Sequence, residues 1–228
     1  MIDTLTATPF FGLGLSLLCW ILAVKFQEKT GLLVCNPVLV SSLLVILVLV
    51  VFRIPLANYN LGGDIIKMLL SPATAVLALN IYQQRKVLKE HFWPVVLGCL
   101  VGSLASILGV QLMCRMFQTE SSLLNSLLPK SVTTAIAVSI SESAGGLPGL
   151  TAASVCVTGI EGAMLAPLFA KLFHVTDPVA EGVAIGACSH AVGTSKALEI
   201  GPLQGAMSSI ALCVCGIITS VLAMFFTV

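Results

Sequence analysis

Apolar residues run through this chain in long blocks, and the polar positions that interrupt them are few enough to be read one by one. Eight apolar segments are predicted, at about 9–25, 31–52, 65–84, 92–116, 123–142, 149–173, 181–199 and 203–227. Three charge-free runs, Gly31 to Phe52, Phe92 to Cys114 and Ile200 to Val228, reach the roughly 20 residues that a spanning helix needs. Other segments are broken or polar. Pro72 lies inside LLSPATAVLALNIY, where proline removes a helical hydrogen bond and clashes with the preceding turn, so a break is expected near Ser71. LLPKSVTTAIAVSISESAGG (Leu127 to Gly146) opens on Pro129 and Lys130, and GACSHAVGTSKALEIG (Gly186 to Gly201) carries His190, Lys196 and Glu199, with Gly193-Thr194 as its expected interruption.

In hydrocarbon every backbone polar group needs a partner. Pro, Gly, hydroxyls and charges therefore persist at membrane depth where helices break around a cavity. The pattern predicts an all-α integral membrane protein, a polytopic bundle with interrupted helices, forming one transport domain over 1–228. The halves are weakly alike: LLSPATAVLAL (Leu69 to Leu79) and LLPKSVTTAIAV (Leu127 to Val138) each start with two leucines and a nearby proline, then reach a Thr-Ala pair. Transporters are often built from duplicated, inverted halves whose interrupted helices meet at the binding site. Half-repeats of roughly 1–118 and 119–228 are the expectation here, with the interrupted stretches around 69–76 and 188–196 facing one another.

Composition agrees with the pattern. Of 228 residues, 57% are hydrophobic and 9% charged, with a mean hydropathy of +1.07, whereas a soluble domain carries roughly 25% charged residues. The net charge of +1 argues against nucleic acid as a partner. Lys25 and Lys29 follow the first segment, and Arg85, Lys86 and Lys89 follow the third, so by the positive-inside rule both loops are cytoplasmic and the N-terminus is outside. The residues before Phe10 hold no Lys or Arg and no small-residue cleavage pattern follows the first segment, so no removable signal peptide is expected. The eight cysteines form no CxxC pair and have no His at ligand spacing, which makes them small buried hydrophobes rather than metal ligands or disulfides. No cofactor and no metal are expected.

The remaining polar residues carry the chemistry. A helix starting near Pro129 or Lys130 would present free amides, an ammonium and the hydroxyls of Ser131, Thr133 and Thr134 to one point, a setting suited to a carboxylate; the plainer role for Lys130 is a snorkelling anchor. His190 sits inside an apolar segment and titrates near physiological pH, which suits a coupling proton, and Glu199 is the other candidate carrier. Ser71, Pro72, Thr74, Ser189, Gly193 and Thr194 complete the expected binding residues. Asn36 before Pro37 reads as a helix start and is counted with them. Glu142 beside Gly145-Gly146 reads as solvated rather than as a proton carrier, and Glu161 in TGIEGAM reads equally as paired with a basic group in the bundle or as a proton carrier. Gly98, Gly102 and Ala105 read as close helix packing.

LLPKSVTTAIAVSIS, GGLPGLTAASVCVTGIEGA, GACSHAVGTSKALE and GAMSSIALCVCGIIT, together with CNPVLV and LLSPATAVLALNIYQQ, resemble the LrgB/CidB family of membrane proteins over nearly the whole chain. The resemblance implies transport of a small monocarboxylate of the pyruvate, glycolate or glycerate type, since the family includes a plastid glycolate/glycerate translocator. It equally implies a rival from another class, a regulatory protein that works with a separate holin-like LrgA/CidA-type partner in controlling murein hydrolases and lysis. The chain departs from the family pattern at Ala135, where proline is usual, and at Glu161, where a small or apolar residue is usual. A bacterial inner-membrane homodimer is expected. No nucleophile is paired with a base at a spacing that requires contact, so the chain is read as no enzyme.

Overall fold

The computed structural model describes residues 6–31, 37–69, 72, 75, 79, 82–83 and 85–226. The described residues contain helices and no strand. The chain divides into two compact units, Met1–Ala73 and Thr74–Val228.

In the first unit α1 (Pro9–Thr30), α2 (Pro37–Val51) and α3 (Leu56–Met68) pack together. Proline opens α1 at the position where a missing amide costs nothing, and Gly31 closes it in the left-handed conformation at φ 64°. The apolar pattern predicts only the end of α3, since the segment expected at 65–84 begins at Ile65 and the residues from Leu56 to Asp64 precede it. Its glycine explains the rest. A Cβ at Gly62 would strike the backbone of Pro9, Leu13 and Gly12, so only a hydrogen there lets α3 lie directly on α1. Tyr59 and Ser16 then share a hydroxyl contact at 2.9 Å. After Met68 the helix ends with Leu69 as its C-cap, and Pro72 is helical and exposed.

The second unit contains α4 (Arg85–Glu90), α5 (Phe92–Met116), α6 (Ser121–Leu127), α7 (Thr134–Ser143), α8 (Pro148–Leu172), α9 (Pro178–Ile200) and α10 (Pro202–Phe226). With α1, the helices α5, α8 and α10 are long and apolar enough to cross a membrane, so the chain is a multi-pass membrane protein. The helices α5 and α10 run parallel: Cys99 Sγ reaches the carbonyl of Ala211, Cys215 Sγ that of Cys99, Ile107 packs with Ala223, and Gln111 Nε2 donates to Phe226 O at 3.2 Å. The stripe Val95, Cys99, Ser103, Ile107, Val110 and Cys114 is the buried face of α5, repeating at the spacing that keeps one helical face inward.

Two elements do not span. The apolar segment at 123–142 is α6, an irregular run over 128–133, and α7, so the helix expected to start near Pro129 or Lys130 starts instead at Thr134. Pro129 and the polar cluster after it stop the helix. The second is α9, whose backbone is non-helical at His190 (φ 40°, ψ −136°). The break expected at Gly193-Thr194 therefore falls three residues earlier, and its consequence is a reversal. Along the first arm Gly182 abuts Gln204 and Met207, and Gly186 abuts Ser208 and Ala211, in the same direction as α10; along the second arm Thr194 meets Ser208 and Leu198 meets Gly205, in the opposite direction. The two arms form a helical hairpin with Ser189 and His190 at its tip. Gly193 remains helical and closes the hairpin, because a Cβ there would run into the Ser189 side chain and reach within 3.0 Å of Ile185 Cγ2.

Candidate functional site

The span α8 sets the depth scale, with Ile160 at the middle of Pro148–Leu172. The α6–α7 element enters beside its first turn. Asn125 Nδ2 donates to Ala144 O at 2.7 Å, Leu147 N donates to Ser126 Oγ at 2.7 Å, and Thr151 Oγ1 donates to Ser141 Oγ at 2.7 Å. Deeper, Val132 and Ala137 pack on Val155. The hairpin enters from the other end, since α9 begins six residues after Leu172, and its tip lies on α8 at Gly159 and Gly162: a Cβ at Gly159 would come within 2.8 Å of His190 Nε2, and one at Gly162 within 2.8 Å of Ser189 Cβ. Two discontinuous elements thus enter the unit from opposite ends of α8 and meet near its midpoint, with Val155 touching both. At 1.5 Å per residue, each hairpin arm reaches about 15–18 Å, roughly half of a 30 Å hydrocarbon layer.

Local chemistry holds the tip. His190 Nε2 stands 2.9 Å from Val155 O, and because a carbonyl only accepts, this ring nitrogen carries the hydrogen. The carbonyl of His190 accepts from Thr194 Oγ1 at 2.9 Å, so the 2.9 Å contact between Thr194 and Ser208 has the serine as donor. A positive φ is unfavourable for a residue with a Cβ, and these bonds hold His190 in it. Ser189, His190 and Thr194 are all buried.

Facing the tip is the 128–133 run. Leu128 is fully buried against Ile107 and Ala223, and Ser131, Val132 and Thr133 are buried behind it. Thr133 is the N-cap of α7, yet its side chain makes no capping bond, and its Oγ1 is buried without a hydrogen-bond partner. The first amides of α7 are free of intrahelical acceptors. Lys130 is half-buried and lines a cavity of about 450 Å³ with Ala105, Ser106, Gly109, Met113 and Leu127. Thr134 is exposed.

Three hydroxyls that the sequence pattern does not single out belong here. Ser103, Ser106 and Thr219, like Thr133, have buried oxygens with no hydrogen-bond partner. Ser103 and Ser106 lie inside a stretch that reads as packing, and Thr219 inside an unbroken apolar run. Their only signal in the sequence is a hydroxyl at the middle or inner part of a span, which ordinary back-bonding also produces.

Of the other expected residues, Asn36, Ser71 and Thr74 lie outside the described residues, and Pro72 belongs to the first unit. Glu199 is exposed and pairs with Lys196 at 2.7 Å on the second hairpin arm. Glu142 and Glu161 are exposed, the latter at the middle of α8. Among the described residues no cluster of three or more His, Cys, Asp or Glu side chains could hold a metal.

The LrgB-like family model matches residues 16–228. Antiholin-like protein LrgB of Bacillus mycoides is 36% identical over 222 residues, covering 97% of this chain and 96% of the relative. The antiholin-like LrgB proteins of Bacillus cereus and Bacillus anthracis match with the same identity and coverage. No solved structure matches the chain. A multi-pass helical protein that follows this family along nearly its whole length, its interrupted segments included, belongs to the LrgB-like family.

Proposed function

We propose that the second unit carries a small monocarboxylate across the bacterial inner membrane, with the N-terminus outside, and that the substrate is of the pyruvate, glycolate or glycerate type. The observation that carries this reading is the meeting of two discontinuous elements in a setting of buried, unpartnered hydroxyls. A buried hydroxyl without a partner costs about 1–3 kcal/mol, a cost that a ligand entering the site removes. The carboxylate is held by Lys130, Ser106, Thr133 and the free amides of α7, with Ser131 beside them. Transporters use broken helices in this way to build a site at the bilayer midplane. His190, at the hairpin tip, is the proton carrier, and the active unit is a homodimer.

A second reading has direct support from the relatives, whose name, antiholin-like protein, describes a regulator. In that reading the chain assembles with a holin-like membrane partner and acts on lysis through its surfaces. The names favour this reading over transport, and the buried site favours transport. Cells carrying Lys130→Ala or Thr133→Val separate the two. Loss of carboxylate uptake in variants that still reach the membrane supports transport. Uptake that neither substitution changes, in cells whose lysis responds to substitutions on the protein's exposed faces, supports regulation.

A further inference from the structure

The connection between α8 and α9 opens a groove that the carboxylate site does not use. A tight chain reversal sets its mouth. Val175 N donates to Ala170 O at 2.9 Å and His174 N to Lys171 O at 3.3 Å, around His174 at φ 53°, the paired bonds that close a helix on a left-handed residue. Asp177 then caps α9 by accepting from Val179 N at 2.7 Å, which puts Glu181 in the first turn, where a carboxylate is favoured. Two adjoining cavities, of about 460 and 410 Å³, share Ala170, Val175 and Glu181. The outer one is polar, lined by Lys171, His174 and Thr176 as well as by Glu181. Glu181 is half-buried, and Gln204 Nε2 steadies its carboxylate by donating to Oε2 at 3.3 Å.

The inner cavity is a hydrocarbon slot. The span α8 gives it Gly162, Ala166 and Ala170, four residues apart on one face, and the first hairpin arm gives it Ala184, Ile185 and Cys188. Phe169 and Phe173, with ring centroids 6.0 Å apart, add an aromatic wall. The slot closes at depth, since a Cβ at Gly162 would run into Ser189. From Glu181 to Ser189 the arm rises about 12 Å, close to the roughly 15 Å that one leaflet contributes to the hydrocarbon layer. The groove therefore starts among charged residues at the end of a span and stops at the hairpin tip near the midplane, the outline of a polar head with a single-leaflet tail. A helix about 10 Å across would need roughly 900 Å³ over that length, about twice the slot, whereas an unbranched hydrocarbon chain is thin enough to enter. The mouth offers both signs of charge: Lys171 suits a phosphate and Glu181 an ammonium.

We propose that this groove binds one phospholipid whose headgroup carries a primary ammonium, with its phosphate on Lys171 and His174, its ammonium on Glu181, and one acyl chain lying between α8 and the first hairpin arm with its end against Cys188 and Ser189. Native mass spectrometry of the purified full-length protein, titrated with phosphatidylethanolamine or with phosphatidylglycerol of the same acyl chains, tests it. The two lipids share the phosphate and the tails and differ in the ammonium. Wild type binds one phosphatidylethanolamine per chain about tenfold more tightly than phosphatidylglycerol, the worth of one charge-assisted hydrogen bond. Glu181→Gln removes that preference and leaves phosphatidylglycerol binding unchanged. Ala184→Leu, which adds bulk to the slot from an exposed position, weakens both lipids at least tenfold in protein that unfolds at the wild-type temperature. That variant and the wild-type ratio decide the matter even where Glu181→Gln does not fold. Equal affinities for the two lipids in wild type, or lipid binding that neither substitution changes, as expected of lipid adhering loosely around the protein, overturn the proposal. A lipid-free dimer that Ala184→Leu dissociates assigns the groove to a second copy of the chain and overturns it as well.

Discussion

The contact between Gly159 and His190 gives the hairpin its most exacting constraint, and Gly159→Ala tests it. The added methyl would sit within 2.8 Å of His190 Nε2 and 3.1 Å of Val192 Cγ2, well inside van der Waals distance. The imidazole can leave only by giving up its 2.9 Å bond to Val155 O. Overpacking of this kind costs about 1–3 kcal/mol, and an interhelical hydrogen bond in a membrane protein is worth about 0.6 kcal/mol and at most about 1.7. Alanine's better helix propensity returns up to about 1 kcal/mol. The net loss is about 1–4 kcal/mol, which for a chain of this size lowers Tm by roughly 2–16 °C. Gly149 supplies the control, since it lies on the same helix and a Cβ added there would meet nothing within 4 Å; Gly149→Ala leaves Tm unchanged or raises it. Thermal unfolding in detergent is the assay. Combining Gly159→Ala with His190→Ala should restore part of the loss, because the two residues touch and their effects do not add. Equal Tm values for the two glycine variants, or strict additivity in the double variant, would refute the hairpin placement.

His190→Gly keeps the hairpin, since glycine adopts a positive φ freely, whereas His190→Val destabilises the protein by more than about 1 kcal/mol; the two are compared by thermal unfolding. His190→Gln keeps carboxylate uptake but removes its stimulation by an inward proton gradient, read as uptake against external pH. Gly62→Ala drives α3 from α1 and lowers stability by about 1–3 kcal/mol or more, because the obstructing atoms are backbone. Lys196→Ala and Glu199→Ala each change stability by less than about 0.5 kcal/mol, as an exposed pair should.

The spans α5, α8 and α10 are legible in the sequence to within a residue or two, since a long apolar run has no other stable form in lipid. Broken elements are legible as places and not as shapes. Pro129 with Lys130 marks the first break, but the sequence around His190 points to Gly193, because glycine is the usual residue where a helix is interrupted. Here the glycine serves close approach between two arms, and a histidine held by its own side-chain bond makes the turn. That distinction depends on Val155 and Gly159, which lie on another helix. Most of the helix α3 escapes the pattern for a related reason: its stability comes from a glycine contact with α1 rather than from its own weakly apolar sequence. Lys130, Ser131, Thr133, Ser189 and His190 stand out by residue chemistry, and they lie in one unit. Ser106 does not, because its significance lies in a bond it does not make, which no periodicity reveals.

The central claim is that the meeting point of the two discontinuous elements is a passage for a small carboxylate. Uptake of radiolabelled lactate into liposomes containing only this purified protein tests it most directly. Saturable accumulation above protein-free vesicles is expected, strongly reduced by Lys130→Ala in protein that unfolds at the wild-type temperature. Uptake no greater than in empty vesicles, from folded and correctly inserted protein, would contradict it and leave the regulatory reading in its place.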